Sequence, residues 1–153
     1  MSLAPQETRT FFVSFATWQR RPILQSHTLS DLLLDVMREN RKKQRFQLHE
    51  FVFMRDHVHL IITPAPIASL EKAIQFIKGG FSYRAKKEAA FQGEIWQKGF
   101  NERRIKDEIE YQQQAQYIRT NPVQARLVDR AEDYPYSSAN LKAEVDPVPL
   151  QFQ

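Results

Sequence analysis

The chain has no cysteine among its 153 residues. That absence removes disulfides, thiolate nucleophiles and Cys-ligated zinc together, and it fits a reducing, cytoplasmic setting. Glycine is scarce, at four residues, and no glycine-rich loop for a nucleotide phosphate is present. No apolar run nears the ~18 residues of a membrane span. The opening Met1 to Gln6 lacks the charged-then-apolar pattern of an export signal. Repeats and low-complexity stretches are missing too. What is there is ordinary: 42% hydrophobic and 26% charged residues, the balance of a globular protein able to bury a core without staples. One domain over residues 1–153 is expected, with a core at about 9–140 and a tail from 141.

Charge is the first functional signal. The net of +4 is uneven: residues 1–128 carry 20 Lys/Arg against 13 Asp/Glu, whereas residues 129–153 carry 2 against 5. A basic body with an acidic tail suits a polyanionic partner.

Thr10 to Trp18 alternates and reads as a strand. Thr28 with Asp31 three residues later marks a helix start, and the apolar positions Leu29 to Met37 carry that helix to about Lys43. Phe46 to Met54 and His57 to Thr63 are strand-like, and only Arg55-Asp56 separates them, which predicts a tight hairpin. Ser69 caps a second helix through Ala85. Gly79-Gly80 interrupts it, at roughly 1 kcal/mol per glycine, so something must approach closely or the helix must end. Ile95 to Ile105 is a further strand. Asp107 caps a last helix to about Thr120, where Asn121 before Pro122 predicts a boundary. The order β-α-β-β-α-β plus a helix is the ferredoxin-like split βαβ arrangement, an α+β fold with an antiparallel sheet and helices on one face.

The hairpin decides which side chains share a face. His57, His59 and Ile61 point one way; Val58, Leu60 and Ile62 point the other. A two-residue turn pairs Val52 with His59 and Glu50 with Ile61. The Phe/Val/Leu/Ile face is the core. The other face shows two imidazoles one step apart, with Glu50 nearby. His-apolar-His on a strand is a possible pair of metal ligands, although two half-exposed histidines are the plainer account. On the last helix, Tyr117 and Asn121 are four residues apart and share a face if the helix persists that far.

Several segments resemble one family. Met54-Arg55-Asp56-His57-Val58-His59-Leu60 resembles the histidine–hydrophobe–histidine motif of the single-tyrosine (HUH, IS200-like) transposases. Lys78-Gly79-Gly80-Phe81 and Ile95 to Phe100 are similar to its following blocks. Tyr117 to Val128 resembles its catalytic-helix signature, and Tyr134-Pro135-Tyr136-Ser137-Ser138 the block after it. The branch most resembled is the REP-associated tyrosine transposases. The chain departs at Arg126, where the family usually has Gly, and at Arg55-Asp56, where Pro-Asn or Pro-Glu is common.

The resemblance implies a metal-dependent enzyme that cuts and rejoins single-stranded DNA. Tyr117 is then the nucleophile, forming a 5′-phosphotyrosine. His57, His59 and Asn121 are the implied ligands of Mg²⁺ or Mn²⁺, with Gln113 or Gln114 as the substitute oxygen donor should the helix stop at Asn121. It also implies recognition of hairpin-forming repetitive palindromes, with a monomer favoured in this branch and a dimer the alternative, and no membrane. Candidate DNA contacts are Arg20, Arg21, Lys42, Lys43, Arg103 and Arg104, with Arg45 and Lys98 beside them. Trp18 and Trp96 are candidates to stack on bases, but the core is the expected place for both. The rival readings are a nucleic-acid-binding ferredoxin-like module without catalysis, an inactive domesticated relative, and an unrelated metal-dependent hydrolase.

Overall fold

The computed structural model describes residues 8–153. Four strands form one antiparallel sheet in the order β2-β3-β1-β4: β1 is Phe11–Ala16, β2 Phe46–Phe53, β3 His57–Pro64 and β4 Asn101–Arg104. Three long helices join them: α1 (His27–Lys42), α2 (Leu70–Glu88) and α3 (Glu108–Gln124). This is the expected split βαβ arrangement. Among the described residues, no helix is long and apolar enough to cross a membrane.

Strand alternation gives the sheet two different faces. Val13, Phe15, Phe51, Phe53, Val58, Leu60 and Ile62 meet Leu33, Met37, Ile74, Ile77 and Phe81 of α1 and α2 in one continuous core. The opposite face buries Val52, Met54 and Ile61 under Tyr111, Ala115 and Ile118 of α3. The two glycines of α2 differ in their surroundings. A Cβ on Gly80 would lie 3.3 Å from Val36 Cγ1 of α1, while Gly79 has open space around it.

The hairpin register holds as expected from Phe53↔Val58 to Glu50↔Ile61, then shifts, so that Leu48 pairs with Ile62. The extra residue is His49, a β-bulge that leaves Leu48 facing the helices and Glu50 facing α3. His49 is buried, with Nδ1 2.7 Å from the Pro147 carbonyl and Nε2 2.8 Å from Thr63 Oγ1.

Several boundaries move. Ser26, not Thr28, caps α1, its hydroxyl accepting from the Leu29 N–H. The strand expected over 95–105 reduces to Asn101–Arg104, preceded by an isolated bridge from Trp96 to Thr17. The helix expected to stop near Thr120 runs to Gln124, through Pro122. Pro122 has no N–H to offer the Ile118 carbonyl, yet a C-terminal closure retains the helix. Arg126 N–H donates to Val123 O and Leu127 N–H to Pro122 O, each at 3.0 Å, the Schellman pattern. That pattern requires a left-handed residue, and Arg126 supplies it at φ 61°.

The tail covers the outer edge of β2. Ser138 N–H donates to Phe51 O and Phe53 N–H to Tyr136 O, both at 2.9 Å. Asp146 accepts from the Leu48 N–H at 2.8 Å and from Arg41, and the Phe152 ring stacks on Tyr111 at 5.6 Å. An exposed sheet edge is thereby removed from pairing with another chain.

Candidate active site

The residues that share the α3 face converge at the start of β3. The His57 and His59 ring centroids are 4.8 Å apart. The Tyr117 ring stands edge-on to His59 at 5.3 Å and to Phe12 at 5.9 Å. Phe12 in turn stacks on His59 at 5.6 Å. Tyr117 is 48% exposed, unlike Tyr111 on the same helix, which is 1% exposed. A phenol open to solvent at this point can meet a substrate, and a buried one cannot. Because α3 continues past Asn121, that carboxamide lies one turn beyond Tyr117 on the same helix face, half-buried.

Hydrogen bonds orient both imidazoles. His57 Nδ1 lies 2.6 Å from Asp56 Oδ1. A carboxylate only accepts, so Nδ1 is the donor in this contact and Nε2 takes no part in it. Arg20 Nη1 lies 3.3 Å from the same nitrogen and 3.5 Å from Asp56 Oδ1. With Nδ1 protonated, the guanidinium is held by the carboxylate and not by the ring. His59 Nδ1 lies 2.7 Å from Ser14 Oγ, and its Nε2 is buried without a hydrogen-bond partner. Burial first, then the neighbouring His57 and Arg20, pushes the His59 imidazole down to about 4. The ring is therefore neutral at pH 7.

A buried ring nitrogen with no partner costs on the order of 1–3 kcal/mol. It is a position that a ligand would satisfy. The neutral His59 imidazole and the His57 ring beside it are nitrogen donors of a kind that divalent cations accept, and the Asn121 carboxamide is an oxygen donor one turn beyond Tyr117. Among the described residues no group of three or more His, Cys, Asp or Glu is placed to hold a metal ion. Gln113 is exposed and Gln114 half-buried, one turn before Tyr117. With Asn121 inside the helix, the reason for turning to them falls away.

Glu50 serves another purpose than proximity to the histidines. Its buried carboxylate accepts from Ser138 Oγ at 2.6 Å and from Arg119 Nε at 3.2 Å, with a second, closer contact to Arg119 Nη2. This ion pair ties α3 to β2 two residues from Tyr117 and fixes the rotation of the helix about its axis. Ser14, Asp56, Arg119 and Ser138 were not singled out in the sequence. Asp56 alone left a signal, being an acid adjacent to the histidine motif.

The basic candidates separate. Arg20 stands beside His57. Arg21 is turned away, donating to the Glu94 and Trp18 carbonyls. Lys42 and Lys43 end α1, next to Phe46, which pairs with Pro64 at the far end of β3 from His57. Arg103 pairs with Glu110 at 3.0 Å on the α3 face, and Arg104 alternates to the other. Trp96 is buried, donating to the Lys78 carbonyl at 3.1 Å. Trp18, expected in the core, is instead 37% exposed, because its loop leaves the sheet edge.

Comparison with known proteins agrees with this geometry. The sequence profile described as IS200-like transposase matches residues 10–121. A Haemophilus influenzae protein provisionally named a REP-associated tyrosine transposase is 28% identical over 144 residues, covering 82% of this chain and 81% of that one. A solved REP-associated tyrosine transposase bound to a REP hairpin superposes with a TM-score of 0.75 at 22% identity, over 100% of this chain and 92% of that one. A Deinococcus radiodurans protein provisionally described as a transposase gives 0.55 at 21% identity, over 77% and 95%. Sheet order, the three helices and a profile match over well more than half of the sequence lead to one assignment: the chain belongs to the IS200-like transposase family.

Proposed function

We propose that this chain is a metal-dependent strand transferase for single-stranded DNA, acting on hairpin-forming repetitive palindromes. The observation that carries the reading is the meeting of a solvent-open tyrosine with the neutral His59 imidazole, whose buried Nε2 has no partner and which stands against His57. Membership of a transposase family and the REP hairpin bound by a structural neighbour support the substrate class.

In this reading the Tyr117 oxygen attacks the scissile phosphorus. The Oη–P bond forms, the P–O3′ bond breaks, the phenol proton passes to solvent, and the departing oxygen leaves as a 3′-hydroxyl. Attack by another 3′-hydroxyl on the 5′-phosphotyrosine reverses these steps and reseals a strand, with the phosphodiester energy conserved. A divalent cation, Mg²⁺ or Mn²⁺, held by His57, His59 and Asn121, would neutralise charge on the phosphate and favour in-line attack. Asp56 accepts from His57 Nδ1 and Ser14 bonds His59 Nδ1, which orients both rings through that nitrogen. The Glu50–Arg119 pair holds Tyr117 over its own His59, which favours a monomer working in cis.

The test is a denaturation-resistant protein–DNA adduct on a hairpin with a single-stranded foot, in Mn²⁺. Tyr117→Phe is expected to abolish it, and His57→Ala or His59→Ala to remove cleavage while the fold persists. An undiminished adduct from Tyr117→Phe would refute the nucleophile. Normal cleavage by either histidine variant would refute the metal site.

A further inference from the structure

Beside the histidine pair the sheet edge opens into a groove. Strand β4 pairs with β1 only as far as Asn101↔Ser14. The next link is the Gln97 N–H, which donates to Ala16 O at 3.0 Å. Between them the chain leaves the edge, turning through Gly99 at φ +78°. Lys78 fixes this detour from α2, donating to Gln97 O at 3.0 Å and Gly99 O at 2.8 Å. The result is a groove of about 340 Å³ whose lining includes Ser14, Ala16, Arg20, Gln97, Lys98 and Asn101.

We propose that this groove holds the unpaired strand of the DNA substrate by its phosphates, with Arg20 at the inner end and Lys98 at the outer lip. The inference rests on the strand-transferase reading and assigns the path by which the strand reaches the site.

Three observations carry it. The groove runs into the candidate site, since Ser14 is the partner of His59 and Ala16 lies directly opposite His57. No carboxylate lines it; two cations and two carboxamides do. That lining carries net positive charge and attracts an anion. Asp56 engages the Arg20 guanidinium at 3.5 Å, and a guanidinium has five N–H donors, so others stay free for a phosphate.

The third observation is backbone strain. Gln19 and Arg20 are both left-handed, at φ 55° and 54°, a conformation costly for residues with a Cβ and kept where the surroundings enforce it. The surroundings do so here. Buried Thr17 gives its N–H to Asp56 O at 2.9 Å and its hydroxyl to Arg21 O at 2.7 Å, and Trp18 N–H donates to Ile95 O at 2.9 Å. The loop is built to hold Arg20 where β1, the hairpin tip and the groove meet. A detour of about three residues spans roughly 10 Å at most, room for one strand and not for a duplex.

The experiment measures binding by fluorescence anisotropy in the Tyr117→Phe background with a chelator, so that cleavage plays no part. The probes are a hairpin with a short unpaired extension and the same hairpin blunt. Lys98→Gln and Arg20→Gln are each expected to weaken the extended probe about five-fold near 0.1 M salt and to reduce its salt slope by about 0.7. The blunt probe should be unaffected, and Arg20→Lys should restore the slope. Equal losses on both probes, no loss on either, or an extension that adds no affinity before substitution would overturn the groove. A failed adduct assay leaves this result standing, and a failed groove leaves the adduct assay standing.

Discussion

The two faces of the sheet are made by the same strands and differ in almost everything else. The α1/α2 face is a continuous apolar core, with Leu33, Phe51, Phe53, Leu60 and Phe81 all fully buried. The α3 face mixes a small apolar cluster with polar groups that are buried or oriented: Glu50 against Arg119, His59 against Ser14, His57 against Asp56. The division follows from strand alternation, which commits every second residue to one side. One side is then free to supply stability. The other can carry an unsatisfied imidazole nitrogen and a half-exposed tyrosine, a cost that the first side offsets.

The comparison is broken most sharply by one substitution on each face. Leu33→Ala should destabilise the protein by about 2–5 kcal/mol and leave adduct formation per folded molecule unchanged, as read by urea unfolding beside the adduct assay. Tyr117→Phe should do the reverse. Equal losses of stability and chemistry from either variant would erase the division of labour.

Acid should act through the α3 face. Burial holds the His59 imidazole at about 4, and it lowers His49 in the same direction. In the unfolded chain both titrate near 6.5, so over this range the unfolded state binds more protons. Stability is therefore full above pH 6.5 and falls as pH drops towards 4. The His59 contribution is about 3 kcal/mol. Urea midpoints at pH 7 and 4.5, with a chelator present, should show a smaller drop in His59→Gln than in the parent chain. An identical drop would remove His59 from the account.

The smallest effect concerns the helix that carries Tyr117. Arg126 closes α3 at a positive φ, where a side chain costs roughly 1 kcal/mol and glycine does not. Arg126→Gly should raise stability by up to about 1 kcal/mol in thermal unfolding. A loss instead would mean that the Arg126 side chain contributes more than the strain it imposes.

The legibility of the sequence follows the same division. The α1/α2 face was readable because hydrophobic period and burial coincide in Leu29 to Met37 and in the Phe46–Thr63 hairpin. The histidine pair was readable because a two-residue turn fixes register. α3 buries only Tyr111, Ala115, Ile118 and Pro122, a stripe too narrow to show where the helix ends, and a local rule about residues before proline lost to the closure at Arg126. β4 is exposed throughout, so nothing in its pattern separates strand from loop. The bulge at His49 depends on Pro147, 98 residues away, and the partners of Glu50 are Ser138 and Arg119, 88 and 69 residues away. No local pattern contains them.

The central claim is that one phenol, Tyr117, becomes covalently joined to the 5′ end of a cleaved strand. Peptide mapping by mass spectrometry of the adduct formed with a footed hairpin in Mn²⁺ tests it directly. The account predicts a nucleotide mass on the peptide containing Tyr117 and on none containing Tyr111. A modified Tyr111 peptide, or cleaved DNA with no nucleotide retained on the protein, would contradict it.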